Sequence, residues 1–294
     1  MKVGIYGQFY HTNAGKYIAQ LLGLLRQNKV EVVIEKNFLK LIELNKTIDK
    51  KYSNFETFTA LDKSFELFFC IGGDGTILKS INYVRDLDIP IIGINTGRLG
   101  FLATIQKEEI EDTLDDILQK KFSISPRTVL DVSTNPPNSD SVFENVTLNE
   151  IAVSRKNSTS MITIDTWLND RYLNSYWADG LIVSTPTGST GYSLSCGGPV
   201  ITPDAGVLII TPIAPHNLNA RPLVIKDNKK ITLRISSRED SHLISMDSRI
   251  ATLKSDTEII IQKAPHAINL VELTDGSFLH TLRKQLMWGE DKRN

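Results

Sequence analysis

Two periods of hydrophobicity run along this chain, and one gives way to the other near residue 122. In the first part, short apolar runs alternate with segments of helical spacing. Lys2–Tyr6, Glu31–Ile34, Phe65–Ile71 and Ile89–Ile94 read as strands. Between them, Ala14–Gln27 sets Ile18, Leu21, Leu22 and Leu25 on one helical face, and Thr76–Arg85 reads as a second helix. Glu108–Gln119 is a third, with Ile110, Leu114, Ile117 and Leu118 inward. Strand and helix in alternation predict a parallel, Rossmann-like sheet covered by helices.

Beyond Phe122–Arg127, β-branched runs and turn residues take over. Arg127–Ser133, Val146–Ser154, Met161–Leu168, Leu181–Ser184, Ile231–Ile235 and Glu258–Ile261 read as strands, and helical patterns are scarce. Asn135–Ser141, with its two prolines, reads as an exposed loop. The expected organisation is an α/β domain over residues 1–122, a β-rich, sandwich-like domain over 123–270, and a segment 271–294. Within that segment Phe278–Trp288 has a helical pattern and is a candidate to return to the first domain.

Composition narrows the class. A chain of 294 residues has room for two domains, and 41% hydrophobic with 23% charged residues is ordinary for a globular protein. A net charge of −1 offers no electrostatic footprint for nucleic acid or an anionic membrane. No apolar run reaches the roughly 18 residues of a membrane span. The stretch from Met1 to Gly7 reads as a first strand, not a signal peptide. Cys70 and Cys196 lack metal-ligand spacing and read as reduced thiols, which places the protein in the cytoplasm. The five histidines are scattered, with no pair at metal spacing, and read as structural or surface residues.

The chemistry concentrates in residues 68–79, Phe-Phe-Cys-Ile-Gly-Gly-Asp-Gly-Thr-Ile-Leu-Lys. A buried strand turning through glycine into a helix N-terminus suits a phosphate, because the first N–H groups lack internal partners and the helix dipole favours an anion. Gly72, Gly73 and Gly75 let a phosphate chain lie close to the backbone. Asp74 beside phosphates needs a task, such as taking a proton or holding a metal ion. Read without a ligand, the same four residues are a tight turn with Asp74 as helix cap. Walker A and dinucleotide-fingerprint spacings are both absent.

Three further stretches carry polar groups. Asn95 through Phe101 follows a buried strand, at the sheet end where α/β proteins bind ligands; Asn95 could orient a phosphate or ribose, and Phe101 could pack on a base. Asn149-Glu150 pairs an amide with a carboxylate, a set able to read an adenine edge or a ribose diol, or simply to end a strand. Residues 177–200 are dense in glycine and small hydroxyls and contain neither Lys nor Glu, which suits an exposed loop shaped for a sugar or nucleotide. Gly188-Ser189-Thr190-Gly191 is not a nucleophile elbow, and a serine hydrolase is set aside.

Taken in order, Gly72-Gly73-Asp74-Gly75-Thr76, Asn95 through Phe101, Asn149-Glu150, and Asp179-Gly180 running into Ser184 through Ser193 resemble the NAD kinase family. Gly-Gly-Asp-Gly alone also fits diacylglycerol-type lipid kinases and phosphofructokinases. The resemblance implies transfer of the γ-phosphate of ATP, or of another phosphoryl donor such as polyphosphate, to the adenosine 2′-hydroxyl of NAD. Asp74 would be the general base, and Gly72, Gly73, Gly75 and Thr76 the phosphate turn, with Lys79 offsetting phosphate charge. Asn149 and Glu150 would hold the adenosine; Asp179, beside Trp177, would meet the nicotinamide end; Thr187, Thr190, Gly191, Tyr192, Ser193 and Ser195 would complete the pocket. Arg249 stands where the family often has Gln, and Gly191 where it often has Ala. Magnesium would arrive with ATP, without dedicated protein ligands. A homo-oligomer, dimer or tetramer, is implied, with no nucleic-acid or membrane partner. The competing readings are a lipid or sugar kinase sharing the turn, and a non-catalytic NAD sensor.

Overall fold

The structure, a computed structural model, describes residues 1–8, 14–45, 48, 55–103, 105–137, 146–157, 160–273 and 278–287. Residues 138–141 of the expected loop, and Trp288, lie outside them. The chain forms two compact units, Met1–Pro126 with Ile268–Asn294, and Arg127–Ala267.

The first unit opens with β1 (Lys2–Gly7), α1 (Ala14–Gln27), β2 (Glu31–Glu35), α2 (Lys36–Leu44) and β3 (Glu56–Phe58). It continues through β4 (Leu67–Ile71), α3 (Asp74–Val84), β5 (Ile91–Asn95), β6 (Ile105–Gln106) and α4 (Ile110–Leu118). The strands run in the order β5-β4-β1-β2-β3, all parallel, with β6 beside β5. Every residue of β4 and β5 is buried, as expected of strands covered on both faces by helices. The predicted face of α1 is buried: Ile18, Leu21, Leu22 and Leu25 join Val3, Ile5, Phe69, Ile92, Leu114 and Ile117 in one core. Each such side chain stabilises the fold by about 1.5–3 kcal/mol. Strand order reverses between β1 and β4, so the turn after β4 sits at the switch point where open sheets bind ligands.

α2 is not among the elements the periodicity predicts. It starts because the buried Glu35 carboxylate accepts from the N–H groups of Asn37 (3.0 Å) and Phe38 (2.8 Å), an acidic cap in place of the usual Ser or Asp.

The second unit is built from strands. These are β7 (Ser123–Asn135, in this unit from Arg127 on), β8 (Val146–Thr147), β9 (Glu150–Ser154), β10 (Ile162–Leu168), β11 (Arg171–Ala178) and β12 (Gly180–Ser184). After a one-turn helix α5 (Tyr192–Ser195) come β13 (Val207–Ile213), β14 (Leu223–Lys226), β15 (Ile231–Ser236), β16 (Ser241–Met246), β17 (Arg249–Lys254) and β18 (Glu258–Glu272). One antiparallel sheet runs β14-β13-β12-β9-β16-β17. A second contains β11-β10-β15 and the first part of β18. Ile151, Val153, Leu181, Val183, Leu208 and Ile244 of the first sheet meet Ile162, Ile164, Leu233, Ile235, Ile259 and Ile261 of the second. That shared core makes the unit a β-sandwich.

Past residue 267 the chain belongs to the first unit again: Leu270 pairs in parallel with Ile91 of β5, and α6 (Phe278–Leu286) follows. Among the described residues no helix is long and apolar enough to cross a membrane.

Candidate active site

In the first unit, β4 runs straight into the glycine turn. Asp74 does not cap α3, contrary to the simplest expectation for an aspartate at a helix start. Gly73 is the cap, no side chain bonds at that helix start, and the helix begins at Asp74 instead of Thr76. The Asp74 carboxylate turns to another loop. Its Oδ2 accepts from the N–H of Phe101 (2.7 Å), and its Oδ1 accepts from those of Leu102 (3.0 Å) and Ala103 (3.1 Å). Asp74 thereby joins the Gly-Gly-Asp-Gly turn to the end of the Asn95–Phe101 stretch.

Between the two segments lies a cavity of about 220 Å³, lined by Gly73, Gly75, Thr76, Asn95, Thr96, Gly97 and Arg98. A Cβ on Gly73 or Gly75 would meet nothing within 4 Å, so both glycines front open space. The Thr76 hydroxyl is buried with no hydrogen-bond partner among the described residues. Asn95 shapes the loop: its Oδ1 accepts from Gly97 N–H (2.7 Å) and its Nδ2 donates to Arg98 O (2.5 Å). Asn95 itself lines the cavity, with one bond on each polar end holding the loop. Phe101 packs its ring on Phe278, 6.3 Å between centroids. Lys79 is exposed and bonds Gln8 Oε1 at 3.4 Å; among the described residues Arg98 is the cation that lines the cavity.

In the second unit, Asn149 and Glu150 lie at the start of β9. The turn between β16 and β17 holds them. Asp247, at φ 51°, accepts from the N–H groups of Leu148 (3.0 Å), Asn149 (2.9 Å) and Glu150 (3.3 Å). Nothing in the sequence marks Asp247 for this role, because its partners lie some hundred positions away. Burial raises the pKa of the Glu150 carboxyl to about 7; the Asp247 charge adds to this and a hydrogen bond from Tyr192 N–H opposes it. Glu150 Oε2 is buried without a hydrogen-bond partner among the described residues. Burial also raises the pKa of the Asp247 carboxyl, while its three backbone donors and Arg249 oppose that shift. A Cβ on Gly191 would come within 2.9 Å of Glu150 Oε2, so glycine here makes room for that carboxyl.

Asp179 forms a two-point ion pair with Arg155, at 2.9 and 3.0 Å, a partner that no motif announces. Arg249 donates to the carbonyls of Met246 (3.4 Å) and Val146 (2.5 Å), bracing the same turn. The hydroxyl-rich stretch is largely buried instead of exposed. Thr185 bonds Leu148 O (2.6 Å), Ser189 bonds Ile201 O (3.2 Å), Thr190 bonds Thr187 O (3.3 Å), and Ser193 pairs with Thr211 (2.8 Å). Thr187 Oγ1 is buried without a hydrogen-bond partner among the described residues. Tyr192, 45% exposed, and Trp177, 46% exposed, remain open, and Ser195 is exposed. Trp177 lies on the His216 ring, 4.3 Å between centroids.

Cys70 is buried in β4 and burial pushes its thiol up to about 12, which fits core packing. Among the described residues no group of three His, Cys, Asp or Glu could hold a metal ion.

Similarity to known proteins agrees with this geometry. Residues 3–122 match the ATP-NAD kinase N-terminal domain and residues 148–273 the ATP-NAD kinase C-terminal domain. The chain is 72% identical to the NAD kinase of Christiangramia forsetii and 54% identical to that of Flavobacterium psychrophilum, over the full length of each. Among solved structures it is similar to yeast NADH kinase complexed with NADH, with TM-score 0.84 and 21% identity over 99% of this chain and 88% of that one; this likeness speaks for the fold. It is also similar to an NAD kinase from Archaeoglobus fulgidus in complex with ATP, with TM-score 0.72 and 25% identity over 98% of both chains. A glycine turn with an aspartate beside a cavity, an Asn-Glu pair on a β-sandwich, and these matches across both units have one common account: the chain belongs to the NAD kinase family.

Proposed function

We propose that this chain phosphorylates the 2′-hydroxyl of the adenosine ribose of NAD, with ATP as donor, to give NADP and ADP. The observation that carries the reading is the cavity behind β4, where Gly73 and Gly75 front open space and Asp74 stands beside them. The phosphates of ATP lie on that turn, where backbone N–H groups and the helix dipole favour an anion. Arg98 adds positive charge at the same cavity. The Asp74 carboxylate takes the proton from the 2′-hydroxyl. The freed oxygen bonds to the γ-phosphorus as the bond to the bridging oxygen breaks, and ADP leaves. Magnesium would be held by the phosphates and water and would supply charge neutralisation. Phosphoryl transfer needs little covalent chemistry from the protein beyond positioning and charge neutralisation.

The second unit recognises the nucleoside groups. Asn149 and Glu150 hold the adenosine. Tyr192 and Trp177 offer exposed aromatic surface toward the nicotinamide side, with Thr187 and Ser195 as smaller polar contacts. Two free cysteines suit a reducing compartment, the cytoplasm. The protein works as a homo-oligomer.

The test is direct: incubate the protein with ATP, magnesium and NAD, and follow NADP. Phosphorylation of diacylglycerol or a hexose in place of NAD would point to a kinase of another substrate. NAD binding without turnover would point to a sensor.

A further inference from the structure

Gly100 stands opposite the Asp74 carboxylate, and its lack of a side chain has no conformational cause. Among the described glycines only Gly72 and Gly197 have positive φ, so the backbone at residue 100 would accept alanine. Space is the obstacle. A Cβ on Gly100 would lie 2.0 Å from Asp74 Oδ1, 2.4 Å from Cγ and 2.6 Å from Oδ2. The carboxylate cannot easily yield, since Asp74 is a short side chain in the first turn of α3 with three backbone donors on it. The loop is held as well. Gln285 Nε2 donates to Leu99 O at 2.6 Å, and Asn95 braces Gly97 and Arg98.

The donors are unevenly shared. A carboxylate has about four lone-pair sites, two on each oxygen. Oδ1 takes two N–H groups, from Leu102 and Ala103; Oδ2 takes one, from Phe101. Among the described residues, the open acceptor site is on Oδ2.

We propose that Gly100 is a positioning residue for phosphoryl transfer: it leaves the space in which Asp74 seats its carboxylate on the amides of residues 101–103, with Oδ2 turned out as the atom that receives the hydroxyl proton. This rests on Asp74 being the general base. Displacing the carboxylate by about an ångström costs on the order of 10²-fold in rate, the usual penalty for a misplaced reacting group.

Gly100→Ala tests it by two readouts. In steady-state kinetics, kcat falls on the order of 10²-fold while KM for NAD and for ATP each change less than about threefold. In thermal unfolding, G100A lowers the Tm of the native sequence but has little effect once Asp74→Gly has removed the carboxylate. If G100A does not fold alone, recovery of the fold in the D74G/G100A double variant supports the proposal, and failure of both overturns it. An unchanged kcat in G100A overturns it, as does an equal loss of Tm in both backgrounds. Full activity of Asp74→Asn would instead remove the base itself, and with it the catalytic part of the proposal. The unfolding comparison tests Gly100 independently of that result.

Discussion

Asp74 draws its hydrogen bonds from the loop at residues 101–103 instead of from its own helix, and this changes what its replacement does. In Asp74→Asn the amide oxygen can keep Leu102 and Ala103, but the NH₂ group faces the N–H of Phe101 and leaves that donor unmatched. We expect kcat to fall by about 10²–10⁴-fold, the worth of a general base, and stability to fall by about 1–3 kcal/mol. Steady-state kinetics and urea unfolding of the same preparation check both, and a variant of wild-type kcat removes Asp74 from the chemistry. Glu150 sets a pH dependence. Its pKa is raised from 4.5 to about 7, so the folded protein binds the proton more tightly than the unfolded chain. Its stabilising share is complete below pH 4.5 and is lost as pH rises toward 7, with a slope of about 1.4 kcal/mol per pH unit. His242, buried in β16 with its pKa lowered from 6.5 to about 4, works the other way: its share is complete above 6.5 and is lost on acidification. The two slopes oppose each other between about pH 4.5 and 6.5, so the wild-type profile alone does not reveal either. Glu150→Gln isolates one of them. Relative to wild type it should gain stability from pH 5 to pH 8; a constant difference across that range would show that Glu150 is not protonated in the fold. The turn and Asp74 were legible in the sequence because three glycines around one acid are a local signal. Arg155 and Asp247 were not, because each acts on residues that only the fold brings near.

At the scale of elements, α1 was legible to the residue because four apolar side chains recur at helical spacing over a long stretch. α2 was not. It has only nine residues, leaves Leu41 and Leu44 exposed, and starts at a glutamate. Its start depends on two bonds from Glu35, so Glu35→Ala should lower stability by about 0.5–2 kcal/mol, the ordinary cost of a lost cap. Urea unfolding checks it, and a change below about 0.3 kcal/mol would mean that packing of Phe38, Leu39 and Ile42 holds the helix without its cap. β16 was hidden for another reason. Its inward positions are His242, Ile244 and Met246, and a histidine in that row breaks the expected alternation of apolar and polar residues. The hydroxyl-rich stretch shows the opposite error. Small polar residues suggested exposure, but their hydroxyls bond backbone carbonyls and hydroxyls within the second unit and are buried by doing so.

For the whole molecule, the fold class followed from two periodicities, whereas assembly leaves no periodic trace and must be argued from surfaces. The six-stranded sheet ends at β14, an edge strand whose Leu223 and Val224 are exposed. An apolar edge is a template for pairing with another chain, and isolated proteins commonly protect such edges with charge or proline. β14 carries a lysine only at its far end, Lys226. If the proposed homo-oligomer forms through this edge, a second copy of the strand would match it in backbone and apolar content, and two-fold pairing would set the same patch on each partner. Val224→Lys places a charge in that patch at a position that is already exposed, so the monomer fold should survive. Sedimentation velocity should then show the wild type as a dimer or larger and V224K as a smaller species. The activity of the wild type should fall on dilution and recover with added NAD, by mass action on the assembled form. If V224K sediments with the wild type, the contact lies elsewhere. If the wild type sediments as a fully active monomer, the homo-oligomer itself is refuted.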